Sequence, residues 1–178
     1  MPKVDKKKNV WEWLAAVAIL PIGIWVICVM APLILLTIAT VLPYEFIRGI
    51  YLRSRFESVY GKQGKRIVLV YSDSPHWQTY IEENWLPKLA DVAIVLNWSQ
   101  RSQWRRQPAL ESKVFHHWSG DREFNPMAIY LPRRGRVQTV RFWRAFRDKK
   151  HDHPEALEKL EAELFALADT VRREKPTL

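Results

Sequence analysis

The feature that most constrains this chain is a run from residue 14 to residue 42, 29 positions long, in which no side chain carries a charge. A stretch of about 18 or more uncharged, mostly apolar residues reads as a membrane segment. That speaks against a wholly soluble protein. As one α-helix the run is about 43 Å long, against roughly 30 Å of hydrocarbon, so it must tilt, kink or fold back. Pro21 and Pro32 supply kink points. Trp11 and Trp13 before the run, and Tyr44 and Tyr51 after it, suit the aromatic belts of a spanning helix. A cleaved signal peptide fits poorly: the run outlasts a signal core, its nearest small-residue site ends at Ala31 and is followed by Pro32, and bulky Trp25, Val26 and Ile27 precede Cys28. A re-entrant hairpin turning near Met30, Ala31 and Pro32 is the rival geometry. The single span is preferred, because that turn holds no Gly, Asn or Asp and frees backbone groups in hydrocarbon.

Charge flanks the run on both sides. Lys3, Lys6, Lys7 and Lys8 precede it, and Arg48, Arg53, Arg55, Lys62, Lys65 and Arg66 follow, within a net charge of +9. The bias toward basic residues after the run places the remainder of the chain on the cytoplasmic side. Residues 1–13 form a basic tail, 14–42 the membrane segment and 43–65 a basic juxtamembrane helix with a linker at 61–65. Residues 66–174 then suffice for one small soluble domain. Arg48, Arg53 and Arg55 are the expected membrane-surface residues, facing anionic headgroups. Residues 101–147 carry +8 and make the second basic patch, a surface for anionic lipid, an acidic protein or nucleic acid. Cys28 is the only cysteine and lies inside the apolar run, so no Cys-x-x-Cys redox pair or thiolate metal cluster is available.

Within the soluble part, Ile67–Tyr71 and Val92–Leu96 are short apolar runs that read as buried strands. Ser74 and Pro75 read as the N-cap and first turn of a helix carrying Trp77, Ile81 and Trp85 on one face. Residues 99–118 are helix-compatible with a break at Pro108, and Ser119–Asn125 is a loop. Met127–Leu131 and Arg136–Trp143 read as two more strands, joined by a turn at Arg133–Gly135. A last helix starts near Asp152, His153 and Pro154, with Leu157, Leu160, Leu164, Leu167 and Val171 as its apolar stripe. The order is β-α-β-α-β-β-α, an α/β domain in which helical crossovers imply parallel pairing and the short turn an antiparallel hairpin.

Over about residues 66–172 this order resembles a thioredoxin-like fold. The residues that carry the resemblance are the strand ending at Tyr71, Ser74 and Pro75 opening the next helix, Asn125 and Pro126 before the third strand, and Gly135 in the hairpin. The resemblance implies that Pro126 stands where that family has a cis-proline. Where thioredoxins place Cys-x-x-Cys this chain has Asp73, Ser74, Pro75, His76 and Trp77, which implies that thiol redox activity is absent. A small doubly wound α/β domain is the alternative fold.

Ligands of parallel α/β sheets gather at the carboxyl ends of strands. The candidate pocket is therefore Asp73, Ser74, His76, Trp77, Asn97, Trp98 and Ser99, with Pro126. Asp73, Ser74 and His76 contain the groups of a catalytic triad, but residues so close in sequence rarely adopt triad geometry, and capping explains the first two. His116, His117, His151 and His153 would hold a metal only if their two segments met, so no metal is expected, and no cofactor. Trp98 and Trp104 beside Arg101, Arg105 and Arg106 read first as a solvated basic face. The favoured function is a membrane-anchored, redox-inactive binding or assembly module. Its expected partners are the bilayer, anionic headgroups or a protein. A transferase or hydrolase acting on a phosphorylated or lipid-linked substrate is the second reading. Nucleic-acid binding through residues 101–147 ranks behind both.

Overall fold

The computed structural model describes residues 6–120 and 125–174, apart from the side chains of residues 6–12, 14–24 and 105. The lysines of the basic tail, the Trp11 and Arg105 side chains and the middle of the loop at 119–125 lie outside this description. The chain divides into two compact units at Arg48 and Gly49.

The first unit is helical. Helix α1, Lys6–Val59, is 54 residues long and passes without a break through Met30, Ala31 and Pro32, so no hairpin forms there. From Trp25 to Leu42 its side chains are exposed, including Trp25, Ile27, Leu35, Leu36 and Leu42. Apolar residues exposed all round a helix suit a lipid environment. Among the described residues α1 is the one helix long and apolar enough to cross a bilayer, and it is compatible with a single-pass membrane protein.

The second unit is a mixed α/β domain on a four-stranded sheet, in the order β2-β1-β3-β4. Strand β1 (Ile67–Tyr71) is followed by helices α2 (Gln78–Asn84) and α3 (Leu86–Leu89), and β2 (Ala93–Asn97) by α4 (Arg101–Arg106) and α5 (Leu110–Trp118). Then come β3 (Met127–Tyr130), β4 (Gln138–Arg141), α6 (Trp143–Lys149) and α7 (Glu155–Arg173). β1 pairs in parallel with β2 and antiparallel with β3, which pairs antiparallel with β4. The expected parallel pairing thus holds for β1 and β2 only, and a doubly wound parallel sheet is ruled out. The central strands β1 and β3 are buried along their whole length, as continuous apolar runs require, whereas β4 buries Val140 alone and Val95 on edge strand β2 is 43% exposed.

Alternation divides the core between two faces. Ile67, Leu69, Tyr71, Ala128, Tyr130 and Val140 pack on Ile81, Trp85 and Leu89 of α2–α3, Phe142 and Phe146, and Leu157, Leu164, Ala168 and Val171 of α7. Val68, Val70, Leu96, Met127, Ile129 and Leu131 pack on Val114 and Phe115 of α5, and on Leu52 and Phe56 of α1. Residues 49–59 are therefore part of the domain core rather than a surface helix ahead of it, and the domain begins well before the expected residue 66. Gly61–Gln63 is a tight 3-10 turn with Gly61 buried, in place of a free linker. Arg66, 2% exposed, ties this segment down: its guanidinium lies 2.6 Å from Glu57 and 4.0 Å from Glu174.

Two of the element boundaries that differ from expectation bear on the site. The fourth strand ends at Arg141 instead of Trp143, because Phe142, Ala145 and Phe146 are buried at a spacing of three and four, the period of a helix. Trp143 therefore opens α6. Ser74 and Pro75 do not start α2, which begins at Gln78. They form a preceding turn in which the Ser74 carbonyl accepts from the N–H groups of Trp77 at 3.2 Å and Gln78 at 2.9 Å.

Candidate functional site

Parallel pairing of Tyr71 with Asn97 ends β1 and β2 at one level. The polar residues just beyond are thereby brought together. Asn97 Nδ2 donates to Asp73 Oδ1 at 2.6 Å, the Asp73 N–H donates to Ser99 Oγ at 3.0 Å, and the Ser99 N–H donates to Asn97 Oδ1 at 2.9 Å. Three of the expected pocket residues therefore form a closed hydrogen-bonded cluster that pins the two strand ends. Ser74 Oγ accepts from the backbone N–H of His76 at 3.4 Å, and Trp77 Nε1 donates to Ser72 Oγ at 3.3 Å. The Ser74 hydroxyl thus meets a backbone amide, as in a capped turn, and a nucleophile–base pair with the His76 imidazole is not formed.

Pro126 is buried at the same end of the sheet, one residue before Met127, which faces Val70, and its peptide bond with Asn125 is cis. Trp98 belongs to the other face, stacked edge-on with Trp104 and Phe115 and covered by the Arg101 guanidinium at 5.2 Å. The arginines expected at the membrane surface have separate fates. Arg48 lies 3.4 Å from Glu45, and Arg55 is exposed. Arg53 donates to the carbonyls of Pro132 at 2.6 Å and Gly135 at 2.8 Å, so it braces the β3–β4 hairpin from α1. Gly135 permits that turn with its φ of 95°, a backbone conformation costly for any side chain. Among the described residues, no group of three or more His, Cys, Asp or Glu converges to hold a metal.

Ser99 lines a pocket of about 540 Å³ with Arg101, Ser102 and Arg106, and a second concave feature lies between the start of α2 and α6. It is a cleft of about 570 Å³. Pro75, His76, Trp77 and Tyr80 line one wall, and Trp143, Phe146, Arg147, Lys149, Lys150 and His151 the other. Of the expected pocket residues only His76 and Trp77 belong to it. The aromatic rings support one another: Trp77 and Phe146 have centroids 6.1 Å apart, and Tyr80 meets Phe146 edge-on at 5.6 Å. Cations cover the rings, with Lys149 Nζ 3.6 Å above Tyr80 and the Arg147 guanidinium 5.3 Å from Trp143. Arg147 also lies 3.2 Å from Asp148. Burial, then the bond to Glu161, pushes the Tyr80 hydroxyl up to about 12, and burial, then the charge and hydrogen bond of Glu82, does the same to Tyr71. Both phenols are neutral at ordinary pH.

The sequence pattern extends the fourth strand to Trp143 and leaves Phe146 outside any element, so the α6 wall is not expected from it. Read at helical spacing, the W-R-A-F-R-D-K-K segment from 143 to 150 places its aromatics three apart beside four basic residues, which was the available signal. Comparison with protein-family models, with curated proteins and with solved structures finds no match to this chain.

Proposed function

We propose that the chain is a membrane-anchored, redox-inactive binding module with a thioredoxin-like domain at the cytoplasmic face of a membrane. The observation that carries the binding part is the cleft between α2 and α6, concave, aromatic-walled and basic-rimmed, beside strand ends whose polar groups are spent on one another. The succession β1, α2–α3, β2, α4–α5, β3, β4, α6–α7 supports the thioredoxin-like reading. Ser74 to Trp77 in the turn after β1, with Cys28 the only cysteine of the sequence, supports the absence of thiol chemistry. The exposed apolar helix supports the anchor, and the basic residues that follow the apolar run support the cytoplasmic side.

The test uses the full chain. It should stay in the membrane pellet through an alkaline wash, resist protease added outside intact cells, and show no reduction of insulin disulfides above background in detergent. Recovery in the wash supernatant overturns the anchor, digestion from outside overturns the cytoplasmic placement, and insulin reduction overturns redox inactivity.

A further inference from the structure

We propose that the cleft between α2 and α6 binds a small ligand in which a flat aromatic ring system carries a phosphate, the chemistry of a nucleoside phosphate. The inference rests on the binding part of the function proposed above and is independent of the thioredoxin-like reading and of the anchor. Its volume of about 570 Å³ falls inside the range of small-molecule sites. That size suits one bound molecule better than a length of polymer. Trp77 and Trp143, both half-buried, line the cleft and give a planar guest aromatic surface, with the Arg147 guanidinium 5.3 Å from the Trp143 ring. An apolar guest alone would leave the rim unexplained. Arg147, Lys149 and Lys150 follow one another along the α6 wall, and among the described residues that line the cleft none is a carboxylate. Of the nearby acids, Asp148 pairs with Arg147, and Glu161 accepts from Trp85 Nε1 at 2.7 Å and bonds the Tyr80 hydroxyl, so Lys149 and Lys150 are the cations on offer to an anion. Lys149 lies over the Tyr80 ring, so its ammonium stands where the aromatic floor meets the rim. A guest whose ring enters the cleft would thus present a phosphate to Lys149 and Lys150, a charge-assisted contact in a partly desolvated setting.

The experiment is equilibrium dialysis and tryptophan-fluorescence titration of the full chain in neutral detergent, with adenosine monophosphate, adenosine and inorganic phosphate as separate probes. The monophosphate should bind saturably and about tenfold more tightly than adenosine, the ratio expected from one added charge-assisted contact, and more tightly than phosphate. The K149Q/K150Q double variant, altered only at the rim, should bring the monophosphate down to the affinity of adenosine. W143A should weaken both ring-bearing probes while the circular dichroism spectrum stays unchanged. Absence of saturable monophosphate binding, equal affinities for monophosphate and adenosine, or a double variant that binds like the parent would overturn the proposal. Phosphate binding as tightly as the monophosphate would also overturn it, marking a bare anion site such as a lipid headgroup would use. None of these outcomes alters the wash, protease or insulin results, so failure here is separable from failure of the anchor or of redox inactivity.

Discussion

Arg66 shows how a single side chain decides what the neighbouring segment does. Its guanidinium is out of water, and the close carboxylate is that of Glu57, with Glu174 at the edge of contact range. Arg66 is buried but Glu57 is about half exposed and Glu174 stays within range, so Glu57→Gln should destabilise the domain by about 1–2 kcal/mol, between a surface pair and a buried one. Chemical denaturation of the full chain in detergent measures this, and a loss below 1 kcal/mol, the size of a surface pair, would contradict it. Tyrosines set the alkaline limit. Tyr60, Tyr71 and Tyr80 are each raised to about 12, with burial the leading cause, against about 10 in an unfolded chain. Because the folded pKa is the higher one, their contribution is fully present below pH 10 and is lost as pH rises through 12. The denaturation midpoint should therefore fall across that window as tyrosinate absorbance appears. A midpoint flat over the same range would rule this out.

At the scale of elements, the largest departure from the sequence reading is the far end of α1. Tyr44 to Arg55 mixes aromatic, apolar and basic residues, which suits a membrane surface as well as a protein core, and nothing local distinguishes Leu52 and Phe56 from Ile50 and Tyr51. The sheet does: Leu52 and Phe56 are buried on Val68, Val70 and Ile129, while Ile50 and Tyr51 are exposed. Phe56→Ala should cost about 3–5 kcal/mol, and Tyr51→Ala well under 1 kcal/mol. Equal effects in denaturation of the two variants would disprove the core assignment. Strands β1 and β3 were legible because Ile-Val-Leu-Val-Tyr and Met-Ala-Ile-Tyr are apolar throughout, a pattern that only burial on both faces demands. The strand-end cluster was legible for the same reason, since two parallel strands deliver Asp73 and Asn97 to one end. The cleft was half legible: the Trp77 wall followed from β1, but the α6 wall depended on a change of period at Phe142 that a short edge strand does not announce.

For the whole molecule, α1 runs from Lys6 to Val59, and Leu52 and Phe56 near its end belong to the domain core. A domain with these residues in its core cannot be cut at Gly61, the first glycine past the helix. Starting a fragment at Gly61 would remove Leu52, Phe56 and Glu57 together, stripping one sheet face and leaving Arg66 without its near carboxylate. The same arrangement has a consequence for the order of synthesis. A ribosome emits residues 49–59 before a single strand exists for them to cover, so Leu52 and Phe56 leave the exit tunnel with nothing to pack against. They must wait until β1, α5 and β3 have been translated. The first segment of the domain to be made is thus among the last to be buried.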